Sequence, residues 1–224
     1  MKYIRKGKEP EELMEYKMQS GVNYRTMSKV KRIRDKVKKD LIEEQGYICC
    51  YCGERIEFDE KTSIEHFLPK EIFPYLDLQY SNLLAVCDGG KQTREEANKK
   101  SQKQGKREKN RAYPLYCDAF KNDKIISLSP LQGDVEQQFC FYQDGSIEGL
   151  SDEAKEAINK LHLDNQVLNT RRKYAIDAYA SEEFDLYKPE QWADEIKWLE
   201  KRNKEGKFEP FCFVKKRYIE DNMM

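Results

Sequence analysis

The stretches CCYCG at residues 49–53 and IEHFLP at residues 64–69 decide the fold of this chain. Cys49 and Cys52 form a Cys-x-x-Cys pair, and such a pair can hold two of the four corners of a tetrahedral zinc site. Glu65 directly precedes His66 on a short apolar segment, which places a carboxylate beside a candidate general base. Because the chain has only two histidines, the setting of this one is informative.

Composition limits the class of protein further. Apolar residues make up 38% of the chain and charged residues 37%, which is polar for a globular protein but not typical of disorder. Basic and acidic residues both number 41, so the net charge says nothing about nucleic acid. The seven cysteines, with no apolar leader and no apolar membrane-spanning run, predict a reduced cytoplasmic protein rather than a disulfide framework.

The second half of the zinc site is expected after a second strand, residues 83–87. Cys87 ends that strand, but Gly90 stands where a partner cysteine would be usual, and the next cysteine is Cys117. We predict that the basic stretch 88–112 is an insertion and that Cys117 completes the site; the alternative is that Cys87 and Cys117 are simply buried thiols. Three cysteines lack ligand spacing and are predicted to be core residues: Cys50, Cys140 and Cys212.

Together these motifs resemble the HNH endonuclease family over about residues 46 to 122. The resemblance implies a ββα-metal core with a structural zinc and a catalytic Mg²⁺ or Mn²⁺. In that core Glu65 is the first ligand of the catalytic ion, His66 the general base, and Asp118 the second ligand. Asn82 matches the asparagine whose side-chain carbonyl orients the histidine.

Two features depart from the family pattern. The first ligand is Glu65, where Asp or His is commoner, and the interval from Asn82 to Asp118 is longer than usual. Asn98, inside that interval, therefore remains an alternative to Asp118. Since side chains alternate along a strand, the strand that carries Glu65 and His66 must end or twist there.

The stretch 88–112 contains nine basic residues and almost no apolar ones, and we predict a mobile loop. Its lysines are candidates for contacts with phosphate. Lys121, three residues after Asp118, stands where the family often has a basic residue. The predicted nucleic-acid-binding residues are Lys99, Lys100, Lys103, Lys106 and Lys121.

The predicted class is α+β, with an N-terminal segment (1–27), an HNH core (28–125) and a C-terminal region (126–224). Apolar spacing predicts a basic helix over 28–45 that ends at Gly46. The C-terminal region is predicted to contain a hairpin at 138–147, helices capped by Ser151 and Asp164, a helix opened by Pro189, and a strand or packed extension at 208–214.

The outer motifs narrow the resemblance. Three features are similar to those of PtuB proteins, the nuclease subunits of Septu anti-phage systems, which also occur in some retrons. They are the opening MKYIRKGKEP, the split second Cys pair, and DGSI at 144–147 before LHL at 161–163. This resemblance implies a PtuA-like ATPase partner and, in retrons, an RNA–DNA partner. The chain has no Gly-rich phosphate loop of its own, which agrees with an ATPase supplied by another subunit.

These observations predict a metal-dependent HNH endonuclease that hydrolyses phosphodiester bonds, with DNA favoured over RNA, as the effector of an anti-phage complex. Two alternatives remain open. One is a zinc module that binds nucleic acid without cleaving it, through the basic stretch and the 28–45 helix. The other is a free-standing restriction- or toxin-type HNH nuclease that needs no partner.

Overall fold

The computed structural model describes residues 1–103, 113–180 and 188–223. The predicted α+β class is confirmed. Helices and strands in the described ranges are α1 Glu11–Lys17, α2 Tyr24–Met27, α3 Lys31–Glu44, β1 Thr62–His66, β2 Leu83–Cys87, α4 Lys91–Lys103, α5 Asp118–Lys121, β3 Phe139–Phe141, β4 Ile147–Gly149, α6 Asp152–Leu161, α7 Gln166–Asp177, α8 Pro189–Leu199 and α9 Cys212–Asn222. None of these helices is long and apolar enough to cross a membrane.

The antiparallel pair β1–β2 positions the candidate site. Its register pairs Thr62 with Cys87 at one end and His66 with Leu83 at the other. The ribbon therefore carries a cysteine and the histidine at opposite ends. Strand β2 is buried along its whole length, as its unbroken apolar sequence predicts.

Helix α3 packs against this ribbon and delivers the chain to the first Cys pair. Ile33, Val37 and Leu41 form its buried stripe. The Gln45 side chain, just after the helix, bonds both the N–H and the C=O of Ala85 at 2.7 Å, and so joins α3 to β2. Gly46 follows with a φ of +63°, and a Cβ there would lie 2.3 Å from Phe208, so only glycine fits this helix end.

The prediction of a mobile loop at 88–112 is wrong for residues 91–103, which form the helix α4. The Asp88 carboxylate accepts the N–H groups of Gly90 and Gln92 at the start of this helix. The segment is rich in Lys, Arg, Gln, Glu and Ala, which are strong helix formers. Its lack of apolar residues therefore indicates an exposed helix rather than a loop. Residues 104–112, which include the predicted contact Lys106, lie outside the described residues.

The C-terminal region contains the predicted hairpin, β3–β4, and Ser151 caps α6 by accepting the Ala154 N–H. Helix α7 is capped by Asn165 instead of Asp164, because the Asn165 side chain accepts the N–H groups of the first turn. The strand or packed extension predicted at 208–214 is helical from Cys212 onward, because α9 begins at that residue. This region packs against the first Cys pair: a Cβ on Gly53 would lie 2.7 Å from Phe213.

Candidate functional site

The four predicted zinc cysteines lie together in the structure. The Sγ atoms of Cys49, Cys52, Cys87 and Cys117 are all within 4.8 Å of one another and are buried. Cys49 and Cys117 are 3.9 Å apart, and Cys52 and Cys87 are 3.7 Å apart. A tetrahedron with Zn–S bonds of about 2.3 Å has edges of roughly 3.8 Å, whereas a disulfide needs about 2.05 Å. The cluster can therefore hold a metal ion such as zinc.

A tight turn presents the first pair. The Cys49 N–H donates to the Glu54 carbonyl at 2.8 Å, and the Gly53 N–H donates to the Cys49 carbonyl at 2.9 Å. Gly53 has a φ of +85°, which residues with a Cβ rarely adopt. The turn closes within six residues and aims both thiols at one point.

Two consecutive glycines explain how the second pair can span an insertion. Gly89 has a φ of +60°, and a Cβ there would lie 2.1 Å from the Tyr116 carbonyl oxygen. The Tyr116 N–H donates to the Gly89 carbonyl at 3.1 Å, so the returning chain lies directly against this glycine. Cys117 thereby takes the fourth position of the cysteine cluster, for which the residue at the usual spacing, Gly90, has no thiol. The Gly-Gly pair is the sequence signal for this close approach.

Charged residues that the sequence analysis did not identify surround the cluster. The Glu54 carboxylate forms an ion pair with Arg171, accepts the Tyr116 hydroxyl at 3.1 Å, and lies 3.8 Å from the Cys52 sulfur. Arg172 is 2% exposed; burial lowers its pKa to about 10, although the nearby charges of Asp164, Cys52 and Cys117 oppose that shift. Two cationic side chains thus compensate negative charge on and around the thiols.

A second centre adjoins the cluster, because Asp118 follows Cys117 directly and begins α5. The charge of the Asp118 carboxylate acts on Glu65, which lies on β1 and is 6% exposed. Burial raises the pKa of Glu65 to about 8, and the charge of Asp118 adds to the rise, while Lys121 opposes it. The Tyr51 hydroxyl donates to Glu65 at 3.3 Å. Two carboxylates therefore interact here.

Lys121 lies where it cannot serve as the predicted nucleic-acid contact. Its side chain is 1% exposed, and its ammonium contacts a Glu65 oxygen at 2.7 Å and the His66 carbonyl at 3.1 Å. The burial of Glu65 explains this position, since an unpaired buried carboxylate is costly. Lys91, half exposed at the start of α4, approaches Asp118 at 3.5 Å. Each carboxylate thus has a lysine beside it.

His66 is held by the loop between β1 and β2. Its Nε2 atom lies 2.9 Å from the carbonyl of Asp77 and must donate, because a carbonyl only accepts. This leaves Nδ1 as the acceptor. Burial lowers the pKa of His66 below its usual value of 6.5, so the ring is neutral at neutral pH. The Tyr24 ring meets it edge-on at 4.3 Å.

Asn82 does not contact the imidazole, so the predicted side-chain contact is wrong. Its Oδ1 accepts the Leu68 N–H at 2.8 Å, and its Nδ2 donates to the carbonyls of Leu68 and Leu76 at 3.0 and 3.2 Å. Asn82 therefore holds both ends of the loop whose Asp77 carbonyl meets His66. Its influence on the histidine is indirect.

The remaining predicted residues lie on α4. Asn98 is half-buried there, whereas Lys99 and Lys100 are exposed; Lys103 belongs to the same helix. Asp118, the other candidate for second ligand, is the residue whose charge acts on Glu65. Tyr24 packs on His66. Burial raises the pKa of Tyr24 to about 12; the charge of Arg34 opposes this rise, and the charges of Asp118 and Glu65 add to it.

Comparison with known proteins gives a short match. No family model matches the chain. The Septu protein PtuB of Bacillus thuringiensis is 38% identical over 52 residues, which cover 23% of this chain. The match spans 20% of the length of that relative. It supports a relation to the Septu protein over this segment.

Proposed function

We propose that this chain is a metal-dependent HNH endonuclease that hydrolyses phosphodiester bonds in DNA. The observation that carries the proposal is the Glu65–Asp118 carboxylate pair, which adjoins the cysteine cluster through Cys117. A neutral histidine, His66, is next to Glu65 on the same strand. The short similarity to a Septu PtuB protein adds support from a separate source.

The carboxylate pair fits a divalent cation. Mg²⁺ and similar ions are often bound by one or two carboxylates together with water and substrate phosphate. Glu65 and Asp118 supply two such oxygens; burial and the charge of Asp118 raise the pKa of Glu65 although Lys121 opposes the rise, and a bound cation would favour the ionised pair. These two residues would hold Mg²⁺ or Mn²⁺, which when bound supplies positive charge to the phosphate and the leaving oxygen.

His66 is the general base in this mechanism. Nδ1 accepts a proton from the water whose oxygen forms the new bond to phosphorus, while the bond to the leaving oxygen breaks. The Asp77 carbonyl oxygen accepts a hydrogen bond from the Nε2–H group, with an N···O distance of 2.9 Å, and so stabilises the imidazolium that forms. Asn82 keeps this carbonyl in place by holding the loop. Asn82 is thus a positioning residue.

Contacts with the substrate backbone and with partner subunits complete the proposed function. Lys99 and Lys100, exposed on α4, contact the phosphate backbone of the substrate. The chain acts as the effector subunit of an anti-phage complex with a PtuA-like ATPase, and a retron RNA–DNA is a further candidate component. The similarity to a Septu protein supports this placement.

The test is cleavage of supercoiled plasmid and of tRNA by the purified chain, with Mg²⁺ or Mn²⁺, alone and with a co-purified ATPase subunit. His66→Ala is expected to slow cleavage by about 10²- to 10⁴-fold, the usual contribution of a general base. Zinc content should not change and circular dichroism should show a folded chain, although the loss of the buried ring lowers the melting temperature. The matched control is His162→Asn, which alters the only other histidine at a left-handed position that asparagine tolerates. Cleavage that survives His66→Ala would contradict the proposal.

One observation favours a second candidate, a zinc module that binds nucleic acid without cleaving it. Glu65 and His66 are each only 6% exposed, and Lys121 already pairs with Glu65. On this alternative, replacing Lys99 and Lys100 by glutamine abolishes nucleic-acid binding, and His66→Ala changes nothing. Activity of the single chain without any partner would instead favour a free-standing nuclease.

A further inference from the structure

The loop between β1 and β2, residues 67–79, is well ordered by its own hydrogen bonds. The Pro69 carbonyl accepts the N–H groups of Ile72 and Phe73, and the Phe73 carbonyl accepts that of Leu76. Asn82 holds the loop at two further points. A loop held in this way loses little conformational entropy when it binds a partner.

This loop presents apolar side chains to solvent. Tyr75 is 77% exposed and Ile72 is 49% exposed, and the Phe73 ring supports the Tyr75 ring at 6.3 Å. Single exposed apolar residues are common and need no explanation. Here, however, two of them share one fixed loop with Lys70, whose side chain is 40% exposed and lies 3.5 Å from Glu71.

The loop lies next to the candidate general base in the chain, which makes its exposed apolar side chains relevant to substrate binding. Tyr75 is two residues from Asp77, and two residues of chain span at most about 7 Å. The Asp77 carbonyl is the group that contacts His66 at 2.9 Å. The exposed Tyr75 side chain therefore belongs to the same short segment as the carbonyl that contacts the candidate general base.

We propose that Tyr75 and Ile72 contact DNA bases next to the bond that is cut, with Tyr75 stacking on a base and Ile72 pressing against the neighbouring step. This inference rests on the proposed function. Apolar and aromatic side chains that enter between or against bases are a common means of holding DNA. Lys70 adds a phosphate contact at the same edge.

The same loop connects this contact to the chemistry. DNA that packs on Tyr75 also restrains the chain at Asp77, and hence the carbonyl that orients His66. Binding at the loop and the orientation of the base are therefore linked. Cleavage by a Tyr75 variant is expected to lose rate at saturating DNA as well as affinity.

The test measures binding of a fluorescent DNA duplex to the full chain carrying His66→Ala, which allows binding to be followed without cleavage. Adding Tyr75→Ala is expected to weaken binding on the order of tenfold, as loss of one base–aromatic stack does. Tyr75→Phe should keep the affinity within about twofold, because the ring remains. The matched control is Tyr174→Ala, an exposed tyrosine on α7 (73% exposed).

Salt dependence separates stacking from charge. Tyr75→Ala should leave the slope of log affinity against log salt unchanged, whereas Lys70→Ala should reduce it by about one phosphate contact. Unchanged binding in Tyr75→Ala, or equal loss in Tyr174→Ala, overturns the inference. So does a Tyr75→Ala chain that keeps its DNA affinity but no longer co-purifies with an ATPase subunit, since the loop then contacts protein. If the chain with His66 intact cuts no DNA but binding depends on Tyr75, the DNA contact stands and the proposed function fails.

Discussion

Two candidate metal centres lie side by side in this chain and differ in how completely they are built. The cysteine cluster offers four buried thiols from three segments, and Cys117 completes it. The neighbouring centre offers two carboxylates, Glu65 and Asp118, each with a lysine beside it. A full set of ligands favours a structural ion, whereas an incomplete set leaves coordination positions for water and substrate. On the proposed function, the adjacent residues Cys117 and Asp118 would serve stability and chemistry respectively.

The two centres also differ in their effect on folding. A metal ion held by the four thiolates would join the first Cys pair, the end of β2 and the start of α5, and its binding would contribute to the stability of the fold. The carboxylate pair opposes folding at neutral pH, since the ionised form of Glu65 is disfavoured by burial and by Asp118. Lys121 offsets part of this cost. Removing a candidate ligand should therefore lower the folding stability at the cysteine cluster and leave it unchanged or raise it at the carboxylate pair.

The largest effect is expected at the cysteine cluster. Cys117→Ser should remove bound zinc and most of the folding stability, because structural zinc sites contribute binding free energies of about 10–16 kcal/mol. Metal analysis by mass spectrometry and thermal unfolding by circular dichroism would measure both. Cys140→Ser is the control, since Cys140 lies outside the cluster. A Cys117→Ser chain that retains one zinc ion and melts normally would show that the cluster is not a metal site.

The next effect tests the carboxylate centre. Asp118→Asn should reduce metal-dependent cleavage by roughly 100-fold, because a bound cation lowers the barrier by several kcal/mol. The melting temperature should stay the same or rise, since the repulsion with Glu65 is removed and the half-exposed contact with Lys91 contributes only about 0–1 kcal/mol. Plasmid cleavage and thermal unfolding would be compared with Asp123→Asn, an exposed aspartate nearby. Marked destabilisation by Asp118→Asn would remove the contrast between the two centres.

The smallest effect is a dependence on pH. The pKa of Glu65 is raised from 4.5 to about 8 in the folded chain, so the folded state holds a proton at pH 7 that the unfolded state has lost. The stability of the chain without a divalent cation at this centre should fall as pH rises from about 5 to about 8. Binding of Mg²⁺ at pH 7 should release close to one proton and strengthen by up to about tenfold per pH unit.

Isothermal titration calorimetry in two buffers with different heats of ionisation measures this proton release directly. Asp118→Asn should reduce the release, since it lowers the pKa of Glu65 and removes one ligand. Mg²⁺ binding with no proton release at pH 7 would show that Glu65 is already ionised. The carboxylate pair would then resemble an ordinary surface site, and the comparison with the cysteine cluster would lose its energetic basis.

Much of the fold follows from local patterns in the sequence. The apolar stripe predicted α3, the glycine after it predicted its end, and the apolar run LLAVC predicted β2. Such features depend on residues within a turn or two of each other, so spacing alone reveals them. The failure at α4 has a related cause: helix-forming residues with no apolar stripe can form a helix without a buried apolar face, and apolar periodicity cannot detect it.

The candidate site was less predictable, because its contacts join distant segments. Lys121 looks like a surface lysine in the sequence, but α5 places it against buried Glu65. Asn82 was expected to meet His66, but its side chain donates to the carbonyls of Leu68 and Leu76 in the loop, and the Asp77 carbonyl contacts the imidazole instead. No spacing rule contains this information, since it depends on which segments pack together.

The sequence by itself determined the ligand types, the first Cys pair and the local ribbon, because the geometry of a turn or a strand is set by neighbouring residues. Only the tertiary structure decided that Cys117 returns across an insertion to the cluster, and that Asp118 then faces Glu65. The physical reason is the close approach of the returning chain to Gly89, whose lack of a side chain lets the two backbones bond. That contact brings distant residues to one point and positions both centres.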